Sequence, residues 1–284
     1  MSDAIVLPDG AADHRLTEQE REQFETDGYL TIPNALDAAT VARFTAVAQR
    51  AASEFHARAE TSRAETSRYA HLNQHDLIGR TPDYLELLDW PTTFPKVFGV
   101  LGWNIQLFHT QLVVTPPGHP GAPAGGYAFH QDNNRMNLDF EGDVVHPRVS
   151  VKVAYFLTDL PEAGMGNFCV VPGSHRAATH DPNAAIEITA RAGDALLFDR
   201  RLWHSASSNH SAETRMVMFY GYSYRWLRPK SAMDVPDVIG HCGPIRRQLL
   251  GEATGATGYF DPTDADVPLR TWIATHLGAD AVTP

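Results

Sequence analysis

The sequence predicts a mainly β protein with flanking helices, a sandwich or barrel with its helices packed outside. Three observations carry this. Between Asn104 and Tyr224, short segments rich in β-branched and aromatic residues recur, mostly separated by Gly, Pro, Asn or Asp. The first hundred residues follow the 3.6-residue period of amphipathic helices instead. No G-x-G-x-x-G, P-loop or G-x-S-x-G motif occurs in the 284 residues, so nucleotide-binding and serine-hydrolase readings lack their anchors.

Taken in order, Thr17 to Asp27 reads as a short charged helix closed by Gly28, which adopts positive φ without a Cβ clash. Tyr29 to Ile32 is a brief strand ended by Pro33. Asp37 caps a longer helix whose apolar positions are Val41, Phe44, Val47, Ala51 and Phe55. Residues 60–76 are polar and aperiodic and read as a surface loop. Pro82 to Trp90 and Pro95 to Leu101 are two further helical pieces, each with proline near its start. Ile105 to Val114 is the first long strand. Arg148 to Leu157 alternates, with Val149, Val151, Val153, Tyr155 and Leu157 on one face and Ser150, Lys152, Ala154 and Phe156 on the other. Gly166 to Val171, Ala185 to Thr189, Ala195 to Phe198 and Arg215 to Tyr224 are the remaining strands. After Pro244 a short helix and a surface tail are expected.

Composition narrows the function. With 43% hydrophobic and 20% charged residues the chain is too apolar to be disordered. The 34 Asp and Glu against 23 Lys and Arg leave a net charge of −11, which repels nucleic-acid phosphates and acidic lipid. Cys169 and Cys242 stand in no ligand spacing, so no disulfide framework is expected. The N-terminus lacks the basic stretch and apolar core of a signal peptide. Residues 97–131 carry no formal charge, but four prolines exclude a membrane-spanning helix. A cytoplasmic protein, without nucleic acid or membrane as partner, is the expectation. Nothing fixes its oligomeric state.

Spacing sorts the 14 histidines. In His130-Gln131-Asp132, positions i and i+2 of an extended chain point to one side, so an imidazole and a carboxylate can reach one metal ion. Alone this triplet is a weak signal. His204, after the apolar segment Ala195 to Phe198, can supply a third ligand. Two His and one carboxylate leaving open positions is the arrangement of non-haem Fe(II) oxygenases. Arg215 starts the next strand, and its planar fork matches a carboxylate bidentately. It reads either as a surface salt bridge or as the anchor for a dicarboxylate cosubstrate. His71 and His75 lie in a polar stretch and are expected to be solvated.

The ordered set of motifs resembles the phytanoyl-CoA dioxygenase-like branch of the Fe(II)/2-oxoglutarate-dependent oxygenases, over nearly the whole chain. It runs through Leu16-Thr17-Glu18…Phe24…Asp27-Gly28-Tyr29-Leu30, Gln111…Pro116-Pro117-Gly118, His130-Gln131-Asp132 and Phe156-Leu157-Thr158-Asp159-Leu160. Gly166-Asn167-Phe168, Val171-Pro172-Gly173-Ser174-His175-Arg176, Gly193-Asp194-Ala195-Leu196-Leu197-Phe198-Asp199 and His204…Asn209…Arg215 complete it.

The resemblance implies a double-stranded β-helix (jelly roll, cupin-like) core in one domain over residues 1–284. A mostly helical part would span 1–103, the jelly roll 104–225, and a C-terminal helix and tail 226–284. It implies Fe(II) held by His130, Asp132 and His204, with 2-oxoglutarate and O2 as cosubstrates and Arg215 on the distal carboxylate. His175 belongs to a structural turn in such proteins and takes no metal role. Retention of Asp132 argues against halogenation.

Three positions depart from the family: Thr115 stands where many relatives carry Lys, Ala206 where many carry Ser, and Lys152 where many carry Trp. A Lys on an apolar strand is unusual unless paired. Lys152 is therefore read as a 2-oxoglutarate contact, with an outward-facing position as the alternative. Gln111 and Thr115 are placed at the cosubstrate too. Asn133, Arg135 and Met136, in the polar run after the iron motif, are read as substrate-binding. Hydroxylation of an unactivated C–H bond of a secondary metabolite is the expected reaction. The same residues also serve desaturation, epoxidation or cyclisation, and a non-catalytic jelly-roll binding protein is the rival of another class.

Overall fold

The computed structural model describes residues 4–61, 71–118, 128–132, 136, 139, 145–231 and 235–282. Its centre is a six-stranded antiparallel sheet in the order β1-β7-β4-β9-β3-β2. These strands are β1 (Tyr29–Ile32), β2 (Leu72–His75), β3 (Ile105–Thr115), β4 (Ser150–Phe156), β7 (Ala195–Asp199) and β9 (Arg215–Tyr224). A smaller sheet, β6-β5-β8, is formed by β5 (Phe168–Val170), β6 (Ile186–Ile188) and β8 (His204–Ala206).

All seven residues of β4 are buried, and the first nine of β9. The alternation read from the sequence is present, but both faces are covered. Val151, Val153 and Tyr155 of β4 join Met216, Met218, Tyr220 and Tyr222 of β9 in a core shared with the helices. Ala154, Phe156, Val217 and Phe219 join Phe168, Val170 and Ile188 of the smaller sheet in a second core. A sheet covered by helices on one face and by a second sheet on the other is the jelly-roll arrangement, and it explains the near-continuous apolar strands.

The helices attach through apolar burial and tyrosine hydroxyls. Helix α1 (Glu18–Asp27) starts with a capping box between Thr17 and Glu20. It ends at Gly28, φ 83°, where a Cβ would lie 2.5 Å from Nδ1 of His175. Helix α2 (Ala38–Thr61) is capped by Asp37, which accepts from Thr40 N at 2.7 Å, and buries Phe44 and Val47. Short α3 (Asp83–Glu86) and α4 (Phe94–Leu101) follow. The Tyr220 hydroxyl donates to Tyr84 O at 2.6 Å, Tyr222 to Leu88 O at 2.8 Å, and the Tyr155 hydroxyl bonds Thr93 Oγ1 at 2.6 Å. Each aromatic ring so buried keeps its polar tip satisfied.

Two expectations are corrected. The segment 60–76 ends in β2, paired with β3 from Leu72↔Val114 to His75↔Gln111, and not in a loop. Four residues anchored by one buried leucine are too few for a legible period. The C-terminal part is no surface tail. It forms α5 (Pro236–Ile239), α6 (Pro244–Leu249) and α7 (Pro268–Leu277), and buries Leu249, Leu250, Leu269, Trp272 and Ile273. Gln248 fastens it by donating to Trp103 O at 2.9 Å and Ile105 O at 3.1 Å.

One buried ion cluster ties α1 to the large sheet. Asp199, fully buried, accepts from Arg148 at 2.8 Å and Arg201 at 2.7 Å, while Arg148 also holds Glu25 at 2.7 Å. Burial alone would raise the Asp199 pKa, but the two arginines hold it below the usual carboxylate value. Its contribution is thus present at neutral pH and lost as the carboxylate protonates on acidification. Asp199→Ala should cost about 3 kcal/mol at pH 7, because Arg201 loses its carboxylate and Arg148 is left with Glu25 alone. In urea unfolding the gap to wild type should narrow below about pH 4.

Candidate metal centre and its cavity

Strand pairing brings the sequence-predicted ligands together. His130 and His204 are directly opposite in an antiparallel bridge, each N–H donating to the other's carbonyl at 3.0 Å. Side chains of directly opposed residues emerge on the same face, and the two imidazole centroids are 4.3 Å apart. Asp132, two residues on from His130, points the same way. One ligand atom from each of His130, Asp132 and His204 lies within 4.8 Å of the others, a spacing that one divalent ion can bridge.

The two imidazoles are oriented alike. Nδ1 of His130 faces Ala128 O at 3.1 Å, and Nδ1 of His204 faces Leu202 O at 2.7 Å. A carbonyl only accepts, so Nδ1 carries the proton in each ring and Nε2 keeps its lone pair for a metal. His204 is buried against Phe168 and Phe198, at centroid distances of 5.3 and 5.2 Å. Burial pushes its pKa down to about 3, so the ring stays neutral, as a ligand must. The donor set and its tautomers fit a first-row divalent metal.

Among the described residues, the neighbours of Asp132 engage one of its oxygens. Oδ2 accepts from Arg200 Nε at 3.0 Å and Lys152 Nζ at 3.2 Å; neither bond uses Oδ1. Burial works against this carboxylate, but the two cations outweigh it and hold its pKa well below the usual range. Lys152 packs over Phe219 at 4.7 Å and Arg200 over Phe108 at 4.5 Å. Burial brings the Lys152 pKa down to about 8, against the pull of Asp132.

The triad and Lys152 open into a cavity of about 410 Å³ whose wall also includes Arg215, Gln111, Asn73, His71, His75 and Lys230. Arg215 is buried at the start of β9, opposite Thr115 on β3. Lys152 pairs with Gly221, six residues further along β9, so these rows are about 20 Å apart. Gly221 is required there, since a Cβ would lie 2.6 Å from Nδ1 of the buried His109.

The sequence-predicted residues fare differently. Lys152 faces the cavity and is buried, which corrects the outward alternative; its nearest polar partner is Asp132. Gln111 lines the cavity and donates to Asn73 at 2.8 Å. Thr115 is not among the lining residues, and its carbonyl accepts from Asn209 Nδ2 at 3.1 Å. Met136 is half-buried and outside the wall. Asn133 and Arg135 lie outside the described residues. His71 and His75, expected to be solvated, are half-buried in the cavity wall, because β2 extends the large sheet over it. Arg200 and Lys230 were not singled out by the sequence. A lone Arg in a turn carries no periodic signal, although its position straight after a buried strand hints at burial.

The model of the family described as phytanoyl-CoA dioxygenase (PhyH) matches residues 24–217. The chain is 27% identical over 161 residues to the dioxygenase cdmA of Talaromyces verruculosus, covering 55% of this chain and 51% of that protein. To the dioxygenase af480 of Aspergillus fumigatus it is 27% identical over 151 residues, 51% of this chain and 46% of that one. The chain therefore spans about half the length of these curated relatives. Among solved structures, HygX from Streptomyces hygroscopicus with nickel and 2-oxoglutarate bound superposes with TM-score 0.56 at 18% identity, covering 75% of this chain and 89% of HygX. The epimerase SnoN from nogalamycin biosynthesis, in complex with Fe3+, alpha ketoglutarate and nogalamycin RO, gives 0.56 at 20%, covering 80% and 91%. These likenesses confirm the jelly-roll fold. The chain belongs to the phytanoyl-CoA dioxygenase family.

The site makes a distinguishing prediction. Asp132→Ala should remove metal binding and also destabilise the metal-free protein by about 3–5 kcal/mol, because two buried cations lose their anion. His130→Ala, at an exposed position, should weaken Ni(II) binding by more than about 100-fold while changing stability by less than about 1 kcal/mol. Calorimetric titration and thermal unfolding of both variants read the two effects separately.

Proposed function

From its place in this family, we propose that the protein is a non-haem Fe(II)- and 2-oxoglutarate-dependent dioxygenase that hydroxylates an unactivated C–H bond of a small molecule. In that reaction substrate, 2-oxoglutarate and O2 become alcohol, succinate and CO2. The observation that carries the reading is the convergence of His130, Asp132 and His204 in one cavity whose wall holds the buried Arg215. HygX and SnoN, which bind a metal and the same dicarboxylate on this fold, support it.

The bound iron would supply the O2 and hydrogen-abstraction chemistry, which no side chain performs. The chain supplies placement. His130 and His204 offer Nε2, preset by their carbonyl partners, and Asp132 offers the third ligand. Arg215 presents its fork to the distal carboxylate of 2-oxoglutarate, and Gln111 adds an amide in the same wall. Phe168, Phe198 and Phe219 keep the inner side dry, which strengthens every charged contact made there.

Anaerobic titration with Fe(II) and 2-oxoglutarate tests this through the visible charge-transfer band of the chelate. Wild type should give the band, Asp132→Ala should not, and Arg215→Ala should need about 10- to 100-fold more 2-oxoglutarate. An iron-loaded, folded wild type without the band would overturn the reading.

A further inference from the structure

The charge of the cavity is opposite to that of the chain. A molecule with net charge −11 lines this space with Lys152, Lys230 and Arg215, and with Asp132 as the one acid in its wall among the described residues. These cations are not clustered at one point. Arg215 sits at the β9 start, whereas Lys152 pairs with Gly221 six residues away. A dicarboxylate held at the triad with its far end on Arg215 leaves Lys230, in the same wall, without an anion.

The second end is built and not incidental. Lys230 N donates to Phe108 O at 2.9 Å and Ser231 N to the same oxygen at 3.1 Å, while Ser231 Oγ accepts from Thr110 N at 3.3 Å. This pins an exposed lysine to the β3 edge of the cavity. His75, held in β2 across from Gln111, completes that wall. His75, Lys230 and Lys152 share one cavity wall, and burial, then the two lysines, lower the His75 pKa. Lys152 already has the anion of Asp132, but Lys230 makes no ion pair among the described residues.

We propose that the end of the cavity formed by Lys230, His75 and Lys152 binds an oxyanion of the primary substrate, so that the substrate is a small molecule bearing a carboxylate or a phosphate. This rests on the dioxygenase reading and names the substrate class for the same site. Lys230 supplies the charge at the mouth, and the neutral pair Gln111 and Asn73 faces the uncharged part of the molecule.

The test uses saturation-transfer NMR on the protein holding Zn(II) and 2-oxoglutarate, with hexanoate, hexyl phosphate and hexanamide as matched probes. At least one anion should bind about tenfold more tightly than the amide. Preference for hexanoate or for hexyl phosphate identifies which oxyanion the site takes. The preference should fall at least about fivefold in Lys230→Gln and return in Lys230→Arg, with 2-oxoglutarate affinity unchanged because Arg215 lies at the other end. Equal binding of all three probes, or a preference that survives Lys230→Gln, overturns the proposal. So does a parallel loss of 2-oxoglutarate affinity, which would make the two ends one site. Absence of 2-oxoglutarate binding in wild type would instead sink the dioxygenase reading, and the anion preference is then read on the protein without it.

Discussion

A single carboxylate oxygen balances the two cations buried beside the metal-binding triad of this protein. Arg200 and Lys152 both enter a space walled by aromatic rings, where an unpaired cation is costly, and both end on Oδ2 of Asp132. The large sheet, buried on both faces, leaves Lys152 only the inner cavity to face; its place on β4 is tolerable because Asp132 is there. The dependence runs in the other direction too. Two cations keep Asp132 ionised despite burial, and they bind one of its oxygens and not the other. The geometry that makes the carboxylate a ligand and the electrostatics that allow β4 to carry a lysine are therefore one arrangement.

Much of this was legible in the sequence, for reasons that differ by element. Strands β3, β4 and β9 are long and rich in branched and aromatic residues, and the shorter β7 is an unbroken apolar run up to Asp199, so their pattern survives inspection of one chain. The pairing of His130 with His204 was readable only through the ordered motifs, because residues 74 positions apart meet by sheet topology and not by local spacing. What escaped is what tertiary contact decides. Leu72–His75 becomes a strand because β3 offers it an edge, and this carries His71 and His75 into the cavity wall. Arg200 is silent in sequence because its partner lies 68 residues upstream. The C-terminal helices looked like a tail because α6 and α7 are short, and their burial comes from matching the helical side of the sheet.

The cavity also shows how little net charge says about a site. An acidic chain argues against polyanionic partners at long range, where solvent and salt average the surface. Inside, a few cations held near low-dielectric walls set the local field. The two scales point in opposite directions here, and a small ligand responds to the inner one.

The antiparallel bridge between His130 and His204 has a consequence for how such a chain can vary. Side chains alternate along both partners, so a slip of one residue in either would turn that partner's imidazole to the far face and bring a neighbour such as Phe129 or Trp203 inward. Residues 200–203 form the short connection that fixes this phase between β7 and β8. A substitution there alters one contact, whereas a one-residue insertion or deletion would invert the parity of the whole ligand strand. Reading frame in space, more than residue identity, is what this connection has to preserve.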